Sequence, residues 1–182
     1  MNVTKLSLEG LQLVVMPVFR DARGFFMERY NRRNFSQNDL SLEFYQDNHS
    51  HSIPGVLRGL HYQHSPPQGK LVGVIRGRIW DVVVDVRENS PTFGSHYSLE
   101  LNGSDGQHLW VPAGFAHGFC VLGDEPADVL YKTDAQYNIA GEGGIKWNDA
   151  DLNIPWPLAN PVVSDRDSAL INFADYKLHL VF

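Results

Sequence analysis

Gly55-Val-Leu-Arg-Gly-Leu-His61 and Gly106-Gln-His-Leu-Trp-Val-Pro-Ala-Gly-Phe-Ala-His117 are the stretches whose reading decides the fold. Each opens on glycine and closes on histidine, with strand-like apolar residues between them. Such a pair sets two histidines on neighbouring strands that face a common interior. Outward from these stretches, short β-type runs recur at residues 11–18, 25–30, 72–75, 79–86, 96–101, 108–111, 119–122 and 129–133. Turn chemistry separates them at Asp21-Ala-Arg-Gly24, Arg76-Gly77, Glu88-Asn-Ser-Pro91, Asn102-Gly103 and Asp105-Gly106. Many short strands at this spacing predict an all-β sandwich or closed barrel of the jelly-roll kind. Helical periodicity is scarce, and the best candidate, residues 31–40, is short and polar. From Trp147 on the chain turns to loops, and residues 176–182 read as a further strand or a loose terminus. No repeat or linker divides the chain, which predicts a single domain over residues 1–182.

Composition narrows the function classes. Hydrophobic residues make up 43% and charged residues 20% of the 182, ordinary values for a globular protein with a core of real size. No window approaches eighteen apolar residues, so no membrane span is expected, and residues 1–9 do not read as a signal peptide. The net charge of −6 argues against nucleic acid as a partner, although a few placed arginines would still hold a small anion. Cys120 is the one cysteine, set in Phe119-Cys-Val-Leu122. It reads as an inert core thiol ahead of a nucleophile, and a cytoplasmic location fits that usage.

The run Gly106-x5-Pro112-x-Gly114-x2-His117 has the spacing of the second cupin motif, and Gly55-x5-His61 begins the first. The first copy is damaged. Gln63 stands where a second histidine is expected, and Gln68 and Lys70 occupy the neighbourhood of the missing glutamate. A catalytic transition metal needs three or four His or carboxylate ligands, and only two of the usual four positions survive. His64, three residues from His61 along a strand, points to the opposite face. No metal and no cofactor are expected, and the barrel interior should be a polar pocket.

His61, Lys70, Tyr131, Tyr137 and Asp167 suit chemistry of another kind. A histidine with a carboxylate partner is a general base near neutral pH. A lysine can stabilise an enolate oxygen, and a tyrosine hydroxyl on the opposite side can return a proton. Together they describe proton abstraction beside a carbonyl followed by reprotonation, that is, racemisation or epimerisation. Taken singly, each has a plainer reading: a structural histidine, half-buried strand tyrosines, an Asp167 that caps a turn, and surface charges at Arg58 and Lys70. Asp81 and Asp85 share one face of the most apolar strand and read as paired or solvated ahead of catalytic. Nothing local places Asp167 beside His61.

The chain resembles the dTDP-4-dehydrorhamnose 3,5-epimerase family over residues 18–169. The matching segments include Asp21-x-Arg-Gly-x-Phe-x-Glu28, Gln46-Asp-Asn-His-Ser50, Gly55-Val-Leu-Arg-Gly-Leu-His-Tyr-Gln63 and Gln68-Gly-Lys-Leu-Val72. They continue through Asp81-Val-Val-Val-Asp-Val-Arg87, Val111-Pro-Ala-Gly-Phe-Ala-His-Gly-Phe119, Leu130-Tyr-Lys-Thr133, Ile154-Pro-Trp-Pro157 and Ser164-x-x-Asp167. Each is weak alone; in order they are specific. The resemblance implies a cupin-type jelly roll that epimerises C3′ and C5′ of a dTDP-4-keto-6-deoxyhexose. It implies His61 as base, Asp167 as its partner, Lys70 at the C4′ oxygen and Tyr131 as the opposing acid. Tyr137, His117 and Arg58 would line the sugar and phosphate region. Nucleotide recognition would fall to Phe19, Arg23, Glu28, Gln46 and Asn48, partly across a homodimer interface with exchanged strands.

His51, Ile53 and Pro54 replace more usual basic and small residues, and the tail from residue 170 matches the family poorly. The alternatives are a monofunctional 3- or 5-epimerase, a 3,4-ketoisomerase on a similar barrel, a binding module without turnover, and a metal-dependent dioxygenase.

Overall fold

The computed structural model describes residues 1–38, 40 and 42–182. Two antiparallel sheets face each other. The first runs in the order β1 (Asn2–Lys5), β2 (Gln12–Val15), β10 (Gln107–Val111), β7 (Lys70–Arg76), β12 (Ala127–Thr133) and β5 (Gln46–Ser52). The second runs β13 (Glu142–Gly144), β6 (Leu57–Gln63), β11 (Phe115–Val121), β8 (Arg78–Asp85) and β9 (His96–Asn102). Strands β3 (Val18–Asp21) and β4 (Gly24–Met27) form a separate hairpin. With three short helices, α1 (Arg32–Ser36), α2 (Asp165–Ser168) and α3 (Phe173–Tyr176), this is the expected jelly-roll architecture.

Side-chain alternation explains the layers. On β8, Ile79 and Val83 enter the core between the sheets, while Val82 and Val84 join a second cluster on the outer face. A strand buried on both sides reads as a nearly continuous apolar run, which is why this segment stood out in the sequence. Asp81 belongs to the inward set and is fully buried. A third cluster lies outside the first sheet, where Phe35 of α1 and Leu40 cover Val14, Leu71 and Trp110.

The C-terminal segment is neither a strand nor a loose end. Phe173 and Tyr176, presented by α3, complete the outer cluster on the second sheet together with Leu60, Val82 and Val84. Tyr176 is 0% exposed, and its hydroxyl donates to the Val86 carbonyl oxygen at 2.7 Å. The Phe182 carbonyl accepts from Glu88 N at 3.1 Å, and its ring meets Tyr62 edge-on. Without this layer the outward side of β6 and β8 would face water.

Some elements had little local signal. Strand β5, Gln46-Asp-Asn-His-Ser-His-Ser52, has no apolar alternation; its pairing with β12, from Thr133↔Gln46 to Ala127↔Ser52, makes it a strand. Strands β1, β3 and β13 are only three or four residues long and lie below what periodicity detects. The helix expected over residues 31–40 forms at Arg32–Ser36, capped by Asn31 Oδ1 on Asn34 N; position 39 lies outside the described residues.

Replacing Tyr176 by Ala removes a fully buried aromatic ring and should cost about 3–5 kcal/mol, read as a lower urea midpoint. Tyr176→Phe should cost only about 1 kcal/mol. Two variants of unchanged midpoint would show that the tail does not support the second sheet.

Candidate active site

Strand β6 sends Leu60 and Tyr62 to the outer cluster, so His61 between them faces the barrel interior. Helix α2 meets this strand from a distant part of the chain. Ser164 Oγ accepts from Asp167 N at 3.1 Å and caps the helix, so the capping role falls to Ser164. The Asp167 carboxylate is left to face β6. Its Oδ1 lies 2.7 Å from His61 Nε2, and its Oδ2 accepts from Gly59 N–H at 3.0 Å. Burial alone would push this carboxyl up, but those bonds hold it below the usual range. An ionised carboxylate only accepts, so the proton of the neutral ring sits on Nε2 and Nδ1 is the basic nitrogen.

Gly59 is required by this arrangement. Its φ is +112°, and a Cβ there would lie 2.6 Å from Gly118 Cα on β11. The glycine thus lets β6 approach β11 and frees its N–H for Asp167.

A second histidine–carboxylate pair stands opposite. His117 on β11 is the direct register partner of His61, and its Nε2 lies 2.9 Å from Asp81 Oδ2 and 3.0 Å from Oδ1. Asp81, read as paired or solvated, is therefore paired, fully buried behind His117. Asp85 is paired elsewhere, with Arg87, Ser90 and Thr92. Among the described residues no group of three or more His, Cys, Asp or Glu side chains is arranged to hold a metal ion.

These groups open on a cavity of about 290 Å³. The facing sheet contributes Lys70 from β7 and Tyr131 from β12, adjacent strands in register. Lys70 Nζ points to the His61 carbonyl oxygen at 3.4 Å, and burial lowers its pKa to about 8 against the pull of Glu142 and Asp81. Burial also raises Tyr131, which keeps its hydroxyl protonated. His61 and Tyr131 thus come from opposite sheets. Arg58 lines the same cavity, its guanidinium held by Ser52 Oγ and the His51 carbonyl.

The residues in the damaged motif have a structural purpose. Gln63 Nε2 donates to the carbonyls of Pro66 and Gln136, while its Oε1 accepts from Asn138 N. Gln68 Nε2 donates to the Ala135 carbonyl. Both amides therefore brace the segment that carries Tyr137 to the cavity mouth. There Tyr137 N donates to Gln46 Oε1 at 2.8 Å, and Gln46 Nε2 to Asn48 Oδ1 at 2.8 Å.

Glu142 and Arg166 also line the cavity and had not been singled out. Glu142 sits in a glycine-rich stretch without periodicity, and Arg166 falls on an unspecified position of Ser164-x-x-Asp167. Phe19, Arg23 and Glu28 are not brought to the cavity within one chain. Phe19 is 62% exposed on the β3–β4 hairpin, Arg23 pairs with Asp21, and Glu28 accepts from Asn31 and Asn34. Cys120 is buried with its pKa pushed up to about 12 by that burial, which makes it a poor nucleophile.

Residues 5–175 match the family model described as dTDP-4-dehydrorhamnose 3,5-epimerase. A curated relative of that name from Shigella flexneri is 48% identical over 177 residues, covering 96% of this chain and 97% of its own. The crystal structure of such an enzyme from Elizabethkingia anophelis is 44% identical with a TM-score of 0.88, covering 96% of this chain and 97% of its own. A 3,5-epimerase from Legionella pneumophila, solved in complex with dTDP-4-keto-L-rhamnose, is 38% identical with a TM-score of 0.93. That likeness covers 99% of this chain and 96% of the other.

Gly59→Ala should cost about 2 kcal/mol or more, because the added methyl meets β11 backbone and the φ is unfavourable. An unchanged urea midpoint would contradict the close approach of β6 and β11.

Proposed function

The chain belongs to the dTDP-4-dehydrorhamnose 3,5-epimerase family, and we propose that it converts dTDP-4-dehydro-6-deoxy-D-glucose to dTDP-4-dehydro-L-rhamnose with His61 as the base. The observation that carries this reading is the His61–Asp167 pair facing a cavity whose opposite wall supplies Lys70 and Tyr131.

The chemistry follows from acidity. The hydrogens at C3′ and C5′ lie beside the C4′ ketone, so removing either leaves an enolate with its charge on the C4′ oxygen. His61 Nδ1 takes the proton, and the Asp167 carboxylate on Nε2–H stabilises the imidazolium that forms. The Lys70 ammonium stabilises the enolate oxygen inside a low-dielectric cavity. Tyr131, from the facing sheet, gives a proton to the other face of the carbon and inverts it. His61 then releases its proton to solvent and Tyr131 regains one from solvent before the second carbon reacts. Atoms and electrons balance without an oxidant, a reductant or a cofactor.

His117, Arg58 and Tyr137 are assigned to the sugar and diphosphate, and Gln46 and Asn48 to the nucleotide. An arginine fork suits a diphosphate, and an aromatic ring suits a base or sugar face. The exposed rings of Phe19, Phe25 and Phe26 give the β3–β4 hairpin an apolar face beside Arg23. This favours a homodimer in which Phe19, Arg23 and Glu28 serve the site of the partner. No helix of the described residues is long and apolar enough to cross a membrane, and a buried thiol is compatible with work in the cytoplasm.

In deuterated buffer the wild type should place deuterium at both C3′ and C5′, followed by proton NMR, and His61→Ala should slow this roughly hundredfold or more. Label at one carbon only would mark a mono-epimerase, and undiminished exchange in the variant would remove His61 as base. Lys70 is cationic below about pH 8 and loses that charge as the pH rises, so kcat should fall along an alkaline limb near that value. A rate that stays flat to pH 10 would argue against Lys70 at the enolate oxygen.

A further inference from the structure

Glu142 lies outside every segment that pointed to the site, yet several of its charges meet there. One oxygen, Oε2, accepts both the Tyr137 hydroxyl and the Arg166 guanidinium, each at 2.6 Å. Strand β13 holds it in the sheet of the base, with Glu142 opposite Gln63 and Gly144 opposite His61. Burial would raise its carboxyl, but the bonds from Tyr137 and Arg166 keep it below the usual range, so it carries a full negative charge.

Lys70 reaches toward the same region from the facing sheet, its Nζ near the His61 carbonyl. Among the described residues it makes no ion pair, although it is half-buried in the barrel interior. A buried ammonium without a partner tends to release its proton. Glu142 is the one carboxylate among the residues that line the cavity with Lys70, and its charge favours the ammonium. Asp81, which pulls the same way, lies outside that lining and is already engaged by His117. The other titratable groups facing the cavity are His61, Arg58, His117, Tyr131, Tyr137 and Arg166. Arg166 shares the Glu142 oxygen and opposes its field.

On the reading of the reaction given above, we propose that Glu142 is a positioning residue: its carboxylate keeps Lys70 an ammonium at the enolate oxygen, and Arg166 sets how much of that charge Lys70 feels. Glu142 itself exchanges no proton with the sugar. The two charges then oppose each other in a way that a purely structural brace would not.

The test compares kcat against pH for wild type, Glu142→Gln and Arg166→Gln with the dTDP-4-keto-6-deoxy sugar. Lys70→Met identifies the alkaline limb that belongs to Lys70. Glu142→Gln should move that limb down by about half a pH unit or more and lower kcat several-fold at pH 8, as expected when a neighbouring opposite charge is lost. Arg166→Gln should move the limb up. A limb left in place by Glu142→Gln, or moved the same way by both variants, overturns the inference. If Glu142→Gln does not fold, Arg166→Gln decides alone, and a limb that stays or moves down overturns it. A wild type that exchanges neither carbon-bound proton removes the reading of the reaction and this inference with it. A wild type that exchanges both while the limb stays put removes the inference alone.

Discussion

A buried carboxylate governs the layout of this protein. Asp167 is almost fully enclosed, and a charge taken from water is costly unless every lone pair is met. It is met by His61 Nε2–H and by the Gly59 amide, two residues of one strand. Those bonds tie α2 to β6 and select the tautomer of His61. They also require glycine at position 59, because the same amide must face α2 while the strand runs against Gly118. The pair is therefore a structural junction as well as the seat of the proposed chemistry.

The sheets divide the remaining roles. The second sheet carries both histidines and Asp81, with Asp167 brought to it by α2, and the first carries Lys70 and Tyr131 on adjacent strands. A sandwich lends itself to chemistry on two faces of a planar intermediate, since each wall is rigid and the gap is fixed by side-chain packing. The outer layers keep those walls in place. α1 covers one sheet, and the C-terminal segment around Tyr176 covers the other.

The two glutamines of the first motif have a concrete structural use. Gln63 both donates to the Gln136 carbonyl and accepts from Asn138 N, and Gln68 donates to the Ala135 carbonyl, so the two amides hold the backbone of residues 135–138. The loop they hold brings Tyr137 to Glu142 and Gln46. A polar chain therefore runs from Asn48 through Gln46, Tyr137 and Glu142 to Arg166, next to Asp167.

What the sequence by itself determined was everything with a short period or a local grammar. The alternation on β8, the turns at Gly77 and Gly106, the inertness of Cys120 and the inward aim of His61 and His117 all depend on neighbours within a few residues. The ordered motifs added the family and, by resemblance, the expectation of an Asp167 partner. What only the tertiary structure decided lies at long range. His61 and Asp167 are 106 positions apart, and His117 and Asp81 are 36 apart. Strand β5 is a strand because β12 pairs with it, and Glu142 and Arg166 meet because β13 lies beside β6. Hydrogen bonds and ion pairs of this kind depend on which strands the topology makes neighbours. That information is spread over the whole chain and is carried by no single stretch of it.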